Sequence, residues 1–119
     1  MEVTVARRYR FEAAHALPWH SGKCRGLHGH SYVLEVFVLG ELDSRGVVMD
    51  FAEIDEVVEK CVLAGPEGLD HQDLNTILDN PTAELVAIMI GDRLASGGLP
   101  WSTIRLWETA NGSVVIHRQ

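Results

Sequence analysis

No stretch of this sequence approaches the roughly 18 consecutive apolar residues that a membrane span requires. The N-terminus MEVTVARRYRF also lacks the layout of a secretion signal, so a cytoplasmic protein with no membrane partner is expected. Cysteine is scarce: Cys24 and Cys61 are too few for a disulfide framework, and a reducing compartment leaves both as thiols. There is no long Lys/Arg run, and the formal charge is −7, which argues against nucleic acid, because neutralising phosphates takes a basic face. The only basic clusters are Arg7, Arg8 and Arg10 near the start and Lys23 and Arg25 around the first cysteine. They are either solvated charges or a greeting for a small phosphorylated molecule.

What is present is an ordinary globular composition, 46% hydrophobic and 23% charged, in 119 residues that suit one domain spanning 1–119. Residues 2–11 alternate, with Val3, Val5, Tyr9 and Phe11 on one side, as in a half-buried strand; Arg7 interrupts that side. The segment 12–27 has no sustained period and reads as a loop that carries function. His28–Leu39 is a second, strong strand. Asp50 is placed to cap a helix with Phe51, Ile54, Val58, Cys61 and Val62 on one face, stopped by Gly65-Pro66. After a polar loop, LDHQDLN, the pair Asn80-Pro81 offers a cap and first-turn proline for a second helix with Leu85, Val86, Met89, Ile90 and Leu94 inward. Two strands, 103–109 and 114–117, follow, joined through the hairpin signal Asn111-Gly112. The order ββααββ predicts an α+β fold, a four-stranded antiparallel sheet with two helices on one face. Its open edges invite oligomerisation.

Strand side chains repeat with a period of two, so His28 and His30 of HGH project from one face and can share an ion. His15 can join them if the first two strands pair as a hairpin around the 12–27 loop. Three neutral histidines leave a tetrahedral metal one open position, the arrangement of a catalytic zinc. The same H-x-H pattern also suits two hydrogen-bonded side chains. His20, in the loop, and His117, near the C-terminus, suit surface positions better. Cys24, between Lys23 and Arg25, suits a thiolate base or nucleophile, a fourth zinc ligand or an idle thiol. Cys61 reads as a core residue. Asp70-His71 offers an acid/base pair if the adjacent side chains meet. Glu108 falls on the face of Ile104 and Leu106, where a carboxylate needs a partner: an arginine, or the flat guanidine-like edge of a ring.

In order along the chain, FEAAHALP, C-R-G-L-H-G-H, VMDFAEI, LDHQDLN, NPTAE and WET resemble the 6-pyruvoyltetrahydropterin synthase superfamily, across nearly the whole length. The spacing Cys24-x-x-x-His28-x-His30 looks most like its 6-carboxytetrahydropterin synthase branch, of the queuosine (7-deazaguanine) pathway. That resemblance implies the tunnelling fold (T-fold), assembled through trimers into a homohexamer. It implies Zn2+ on His15, His28 and His30, with Cys24 as proton-abstracting residue and Asp70 and His71 as its acid/base partners. It also implies a pterin anchored by Glu108, with Thr109, Asp50 and Phe51 lining the same pocket across a subunit boundary. The implied substrate is 7,8-dihydroneopterin triphosphate, the implied products 6-carboxytetrahydropterin, acetaldehyde and triphosphate. The short Pro18–Cys24 loop, and Gln72 where some relatives carry a second histidine, leave the pyruvoyl product open. A non-catalytic zinc or pterin binder, with Cys24 completing a closed site, is the reading from another class.

Overall fold

A computed structural model describes all 119 residues. Strands β1 (Glu2–His15) and β2 (His28–Glu41) are followed by helix α1 (Phe51–Val58), a two-residue strand β3 (Gln72–Asp73), helix α2 (Ala83–Ser96) and strands β4 (Thr103–Trp107) and β5 (Ser113–His117). They form one sheet in the order β3-β1-β2-β4-β5. All neighbouring pairs are antiparallel except β1 with β3, which is parallel. The expected four-stranded antiparallel sheet is therefore corrected to a five-stranded mixed one. The added strand is two residues of the polar LDHQDLN segment, too short to carry an alternating pattern.

β1 and β2 pair along their whole length, from Glu2 opposite Glu41 to His15 opposite His28. β1 thus runs four residues past its expected end: Glu12–His15, poor strand formers by composition, gain backbone partners from His28–Ser31. Odd residues of β1 and even residues of β2 face the helices. There Phe11, Tyr32, Leu34, Val36, Ile104 and Leu106 bury against Ile54, Val58, Val62, Val86, Ile90 and Leu94. The other face carries no helix and presents Arg8, Arg10, Glu35, Arg105 and Trp107.

Asp50 caps α1 as expected, its Oδ1 accepting from the Ala52 N–H at 2.9 Å. Beyond Val58 the helix loosens into a π turn, Glu59–Leu63, which shifts the phase of its inward face. Val62 is buried, whereas Cys61 is only partly so. Phe51, expected inward, is 47% exposed beneath the Arg7 guanidinium, 5.0 Å from its ring centre. α2 is capped by Thr82, whose Oγ1 accepts from Leu85 N–H at 3.1 Å, rather than by Asn80 with Pro81 in the first turn. Its inward face is accordingly Ala83, Val86, Ala87, Ile90 and Leu94, and Leu85 is exposed. The β4–β5 connection is a hairpin as expected, though neither Asn111 nor Gly112 takes a positive φ. Thr109 Oγ1 instead gathers the Asn111 and Gly112 N–H groups.

Candidate metal centre

The far end of the helix-facing core is polar. His15 and His28 stand opposite each other at the last rung of the hairpin, and His30 is opposite Ala13, whose methyl leaves it room. Ring centres lie 4.6 Å (His15–His28), 5.1 Å (His15–His30) and 4.8 Å (His28–His30) apart. The expected hairpin therefore does bring the three imidazoles together. A fourth group arrives just past β4: Glu108, whose N–H donates to Gly112 O, places Oε1 3.1 Å from His30 Nε2 and 3.8 Å from His15 Nε2. One donor atom from each of the four residues lies within 4.8 Å of the others.

The hydrogen bonds fix which nitrogens face inward. His15 Nδ1 is 2.8 Å from the carbonyl of Pro81, and His28 Nδ1 is 2.7 Å from that of Gly26. A carbonyl oxygen can only accept, so Nδ1 carries the proton and Nε2 of each neutral ring keeps a free lone pair. All three Nε2 atoms are buried with no hydrogen-bond partner. Orphaned buried acceptors are costly. Two such acceptors, from His15 and His28, converging with the His30 imidazole and a carboxylate fit a bound cation, and the donor set suits zinc. Around zinc, neighbouring ligand atoms sit about 3.4 Å apart; the two Glu108 distances bracket that value. Burial holds His30 below the usual imidazole range, with Glu108 pulling the other way and His15 and His28 adding to the lowering. Tyr32, next on the same strand face, is fully buried, and its hydroxyl too has no partner. Burial, then Glu108, pushes its phenol well above the usual range, so the O–H stays protonated.

Two clefts open beside the cluster, both reaching His30. One, of about 480 Å³, also takes in His71 and Gln72. Asp70 and His71 do meet, Oδ1 to Nδ1 at 3.0 Å. Asp70 Oδ1 also accepts from the Glu12 N–H at 2.9 Å, which, with His71, holds its carboxyl below the usual range. His71 is a non-glycine residue in the left-handed region (φ 61°), held there by its N–H bond to Glu12 O and by the β1–β3 pairing. Its side chain is 78% exposed. The second cleft, about 600 Å³, is lined by Arg8, Arg10, Trp107, Glu108 and Thr109.

Other expected site residues lie elsewhere. Cys24 sits in a 3₁₀ turn, Lys23–Arg25, its carbonyl accepting from Leu17 N–H, and it lines neither cleft. Asp50 uses its carboxylate as a helix cap, and Phe51 packs under Arg7, which is eight residues, about 26 Å, along β1 from His15. Asp50 and Phe51 therefore cannot share a pocket with the histidines of their own chain. Of the basic cluster, Arg7 is bound to Asp55 and Arg8 to Glu35, while Arg10 has no ion pair. His20 and His117 stand apart from the cluster, in local bonds to Gly22 N–H and Thr103 Oγ1. Sequence reasoning missed three supports: the Pro81 and Gly26 carbonyls, and Asn75, which clamps Ala16 through both N–H and C=O just beyond His15. Asn75 lies within the LDHQDLN motif; the carbonyls leave no mark in a sequence.

The family profile described as 6-pyruvoyl tetrahydropterin synthase matches residues 4–119. The chain belongs to this family. Among curated members, a dihydroneopterin monophosphate aldolase of Pyrococcus furiosus is 39% identical over 114 residues, 91% of each chain. A 6-carboxy-5,6,7,8-tetrahydropterin synthase of Synechocystis is 38% identical over 103 residues, 81% of this chain and 78% of the relative. The solved 6-pyruvoyl tetrahydropterin synthase of Caenorhabditis elegans superimposes with a TM-score of 0.85 at 26% identity, covering 100% of this chain and 97% of the other. Family membership also accounts for the mixed sheet with two helices, and it identifies the chain as one of an enzyme family of pterin synthases and lyases.

Proposed function

We propose that this protein is a zinc-dependent pterin side-chain lyase acting on 7,8-dihydroneopterin triphosphate. Water is consumed, and 6-carboxytetrahydropterin, acetaldehyde and triphosphate are released, as a step of queuosine biosynthesis in the cytoplasm. The observation that carries this reading is the convergence of three unpartnered, buried Nε2 atoms beside Glu108, in a chain of this family.

His15, His28 and His30 would hold the zinc, with Pro81 and Gly26 fixing two of the rings. When bound, the ion supplies Lewis acidity toward the side-chain hydroxyls of the substrate. Glu108 offers two carboxylate oxygens to the parallel N–H donors of the pterin 2-amino pyrimidine edge. Thr109 lines the same cleft. Asp70, its carboxyl held low by the Glu12 N–H, orients the His71 ring for proton exchange at the substrate side chain. Cys24 takes a proton from side-chain carbon. Asp50 and Phe51, at the start of α1 beside Arg7, lie too far from their own histidines to serve them, which suits a pocket completed by a second copy in a homohexamer.

A second reading rests on the Pyrococcus relative. On a dihydroneopterin monophosphate the same groups suit retro-aldol cleavage between the first two side-chain carbons. The products are a 6-hydroxymethyl dihydropterin and glycolaldehyde phosphate. Incubating the zinc-loaded protein separately with the triphosphate and the monophosphate, with products identified by mass spectrometry, decides between them. Carboxypterin with acetaldehyde is the expected result; a hydroxymethyl product selects the second reading, and a pyruvoyl product places the chain with the other synthases. No pterin product from either substrate sinks all three.

A further inference from the structure

Glu108 has two claims on one carboxylate. Its Oε1 lies at ligand-to-ligand distance from two histidine nitrogens, 3.1 Å from His30 and 3.8 Å from His15. In the neutral His15 ring the nitrogen facing it carries a lone pair, because Nδ1 holds the proton against Pro81 O. An anionic oxygen turned toward a lone pair is repelled unless a cation lies between them. On its other side the same side chain, 25% exposed, opens to the cleft it shares with Thr109 and Arg10. The residue stands one position past the end of β4, with its N–H bonded to Gly112 O, so its side chain is not part of the strand ladder.

We infer that Glu108 is an exchangeable fourth metal ligand: its carboxylate closes the metal site in the resting protein and leaves it for the pterin ring, opening the position as the substrate arrives. This rests on the pterin reading above. The ring's amidine edge replaces the metal as partner of the carboxylate, so ring recognition and the opening of the Lewis acid become one event. Linkage then requires a reciprocal cost: a pterin with no side chain to offer the metal weakens metal binding, and the metal weakens that pterin, by the same factor.

The test uses the full-length protein loaded with Co2+, whose visible absorption falls as its coordination number rises above four. The probe is 6-methyl-7,8-dihydropterin, which has the ring edge but no side-chain hydroxyl to reach the metal. Its binding is followed independently by fluorescence. Without pterin, the wild-type cobalt spectrum is expected to differ from that of Glu108→Ala, and the variant to bind Co2+ at least about 10-fold more weakly. Saturating the wild type with the probe is expected to move its spectrum to that of Glu108→Ala; circular dichroism checks that the variant is folded. Identical wild-type and variant spectra, with equal Co2+ affinities, overturn the ligand. A probe that binds without moving the cobalt bands overturns the exchange. A probe that does not bind overturns the exchange together with the pterin reading, while the comparison without pterin still decides whether the carboxylate is a ligand.

Discussion

The two ends of the β1–β2 hairpin each carry a polar cluster on the helix-facing side, and the two are built on opposite terms. Toward one end, Arg7 grips Asp55 with Nε at 2.9 Å and Nη2 at 2.8 Å, and Tyr9 donates to the same carboxylate at 2.6 Å. Every strong group there has its partner, and the cluster ties β1 to α1. At the other end, three histidine Nε2 atoms and the Tyr32 hydroxyl have no hydrogen-bond partner, and only His30 has a carboxylate as near as 3.1 Å, that of Glu108. A closed cluster locks two elements together; an open one in the same core is kept at a cost in stability and is explained by what it binds.

The largest effect expected from breaking this comparison is at the open end. On the proposed zinc reading, His15→Ala should lower bound zinc from about one per chain to near none. Catalysis should fall by about 10³-fold or more, the loss of several kcal/mol of transition-state stabilisation. Metal analysis and steady-state rates check both. Asp55→Ala at the closed end should do the reverse, lowering the melting temperature while metal content and rate per folded molecule stay near wild type. If Asp55→Ala also emptied the metal site, the two ends would not be independent.

Cys24→Ala sharpens the contrast within the open end. If the thiolate is the base, turnover should fall by about 10²- to 10⁴-fold with zinc content unchanged. Unchanged turnover would leave Cys24 as an idle thiol, in keeping with its place outside both clefts.

Acid should separate the two ends in time. The guanidinium of Arg7, then the Tyr9 hydroxyl, holds the Asp55 carboxyl below its ordinary range. A carboxyl depressed in the folded state contributes stability that is present above its unfolded pKa, about 3.9, and lost as pH falls through the folded value. Histidine ligands must be neutral to bind, so protons compete with the metal for them as pH falls. On acid titration, zinc should therefore leave before the Arg7–Asp55 lock fails. Metal release during dialysis and unfolding by circular dichroism follow the two events; simultaneous loss would mean that the metal alone holds the fold.

How far these clusters were legible in the sequence follows from the range of the interactions. HGH on an alternating strand announces two inward imidazoles, and hairpin pairing supplies the third. Parity also puts Glu108 on the right face, but its distance to the histidines is a tertiary fact, and no arginine is its ion-pair partner; His30 and His15 stand beside it. Arg7 is visible as an interruption of an apolar stripe, while its partner, Asp55, lies 48 residues on, on a helix. Asn80-Pro81 predicts a start for α2 earlier than the one that Thr82 caps. Contacts outside the helix divide them: Asn80 accepts from the Trp19 indole and Pro81 supports His15, which leaves Thr82 to cap. Through the π turn the buried residues Ile54, Val58 and Val62 fall four apart, a spacing that α-helix also allows, so period does not reveal the turn.

The smallest effect discriminates most finely, because it compares one atom at each end. Tyr9→Phe removes a hydroxyl that donates to a carboxylate at 2.6 Å and should cost about 1–2 kcal/mol. Tyr32→Phe removes a hydroxyl that is fully buried and unpartnered, so its desolvation is already unrecovered in the native state. Its loss should be neutral or slightly stabilising, although Tyr32 stacks on Phe11 and is more deeply buried than Tyr9. Denaturant titration of the two metal-free variants beside the parent measures the difference directly. Equal costs would mean that the Tyr32 hydroxyl has a partner after all, and the end that holds the histidines would then be as closed as the end that holds Asp55.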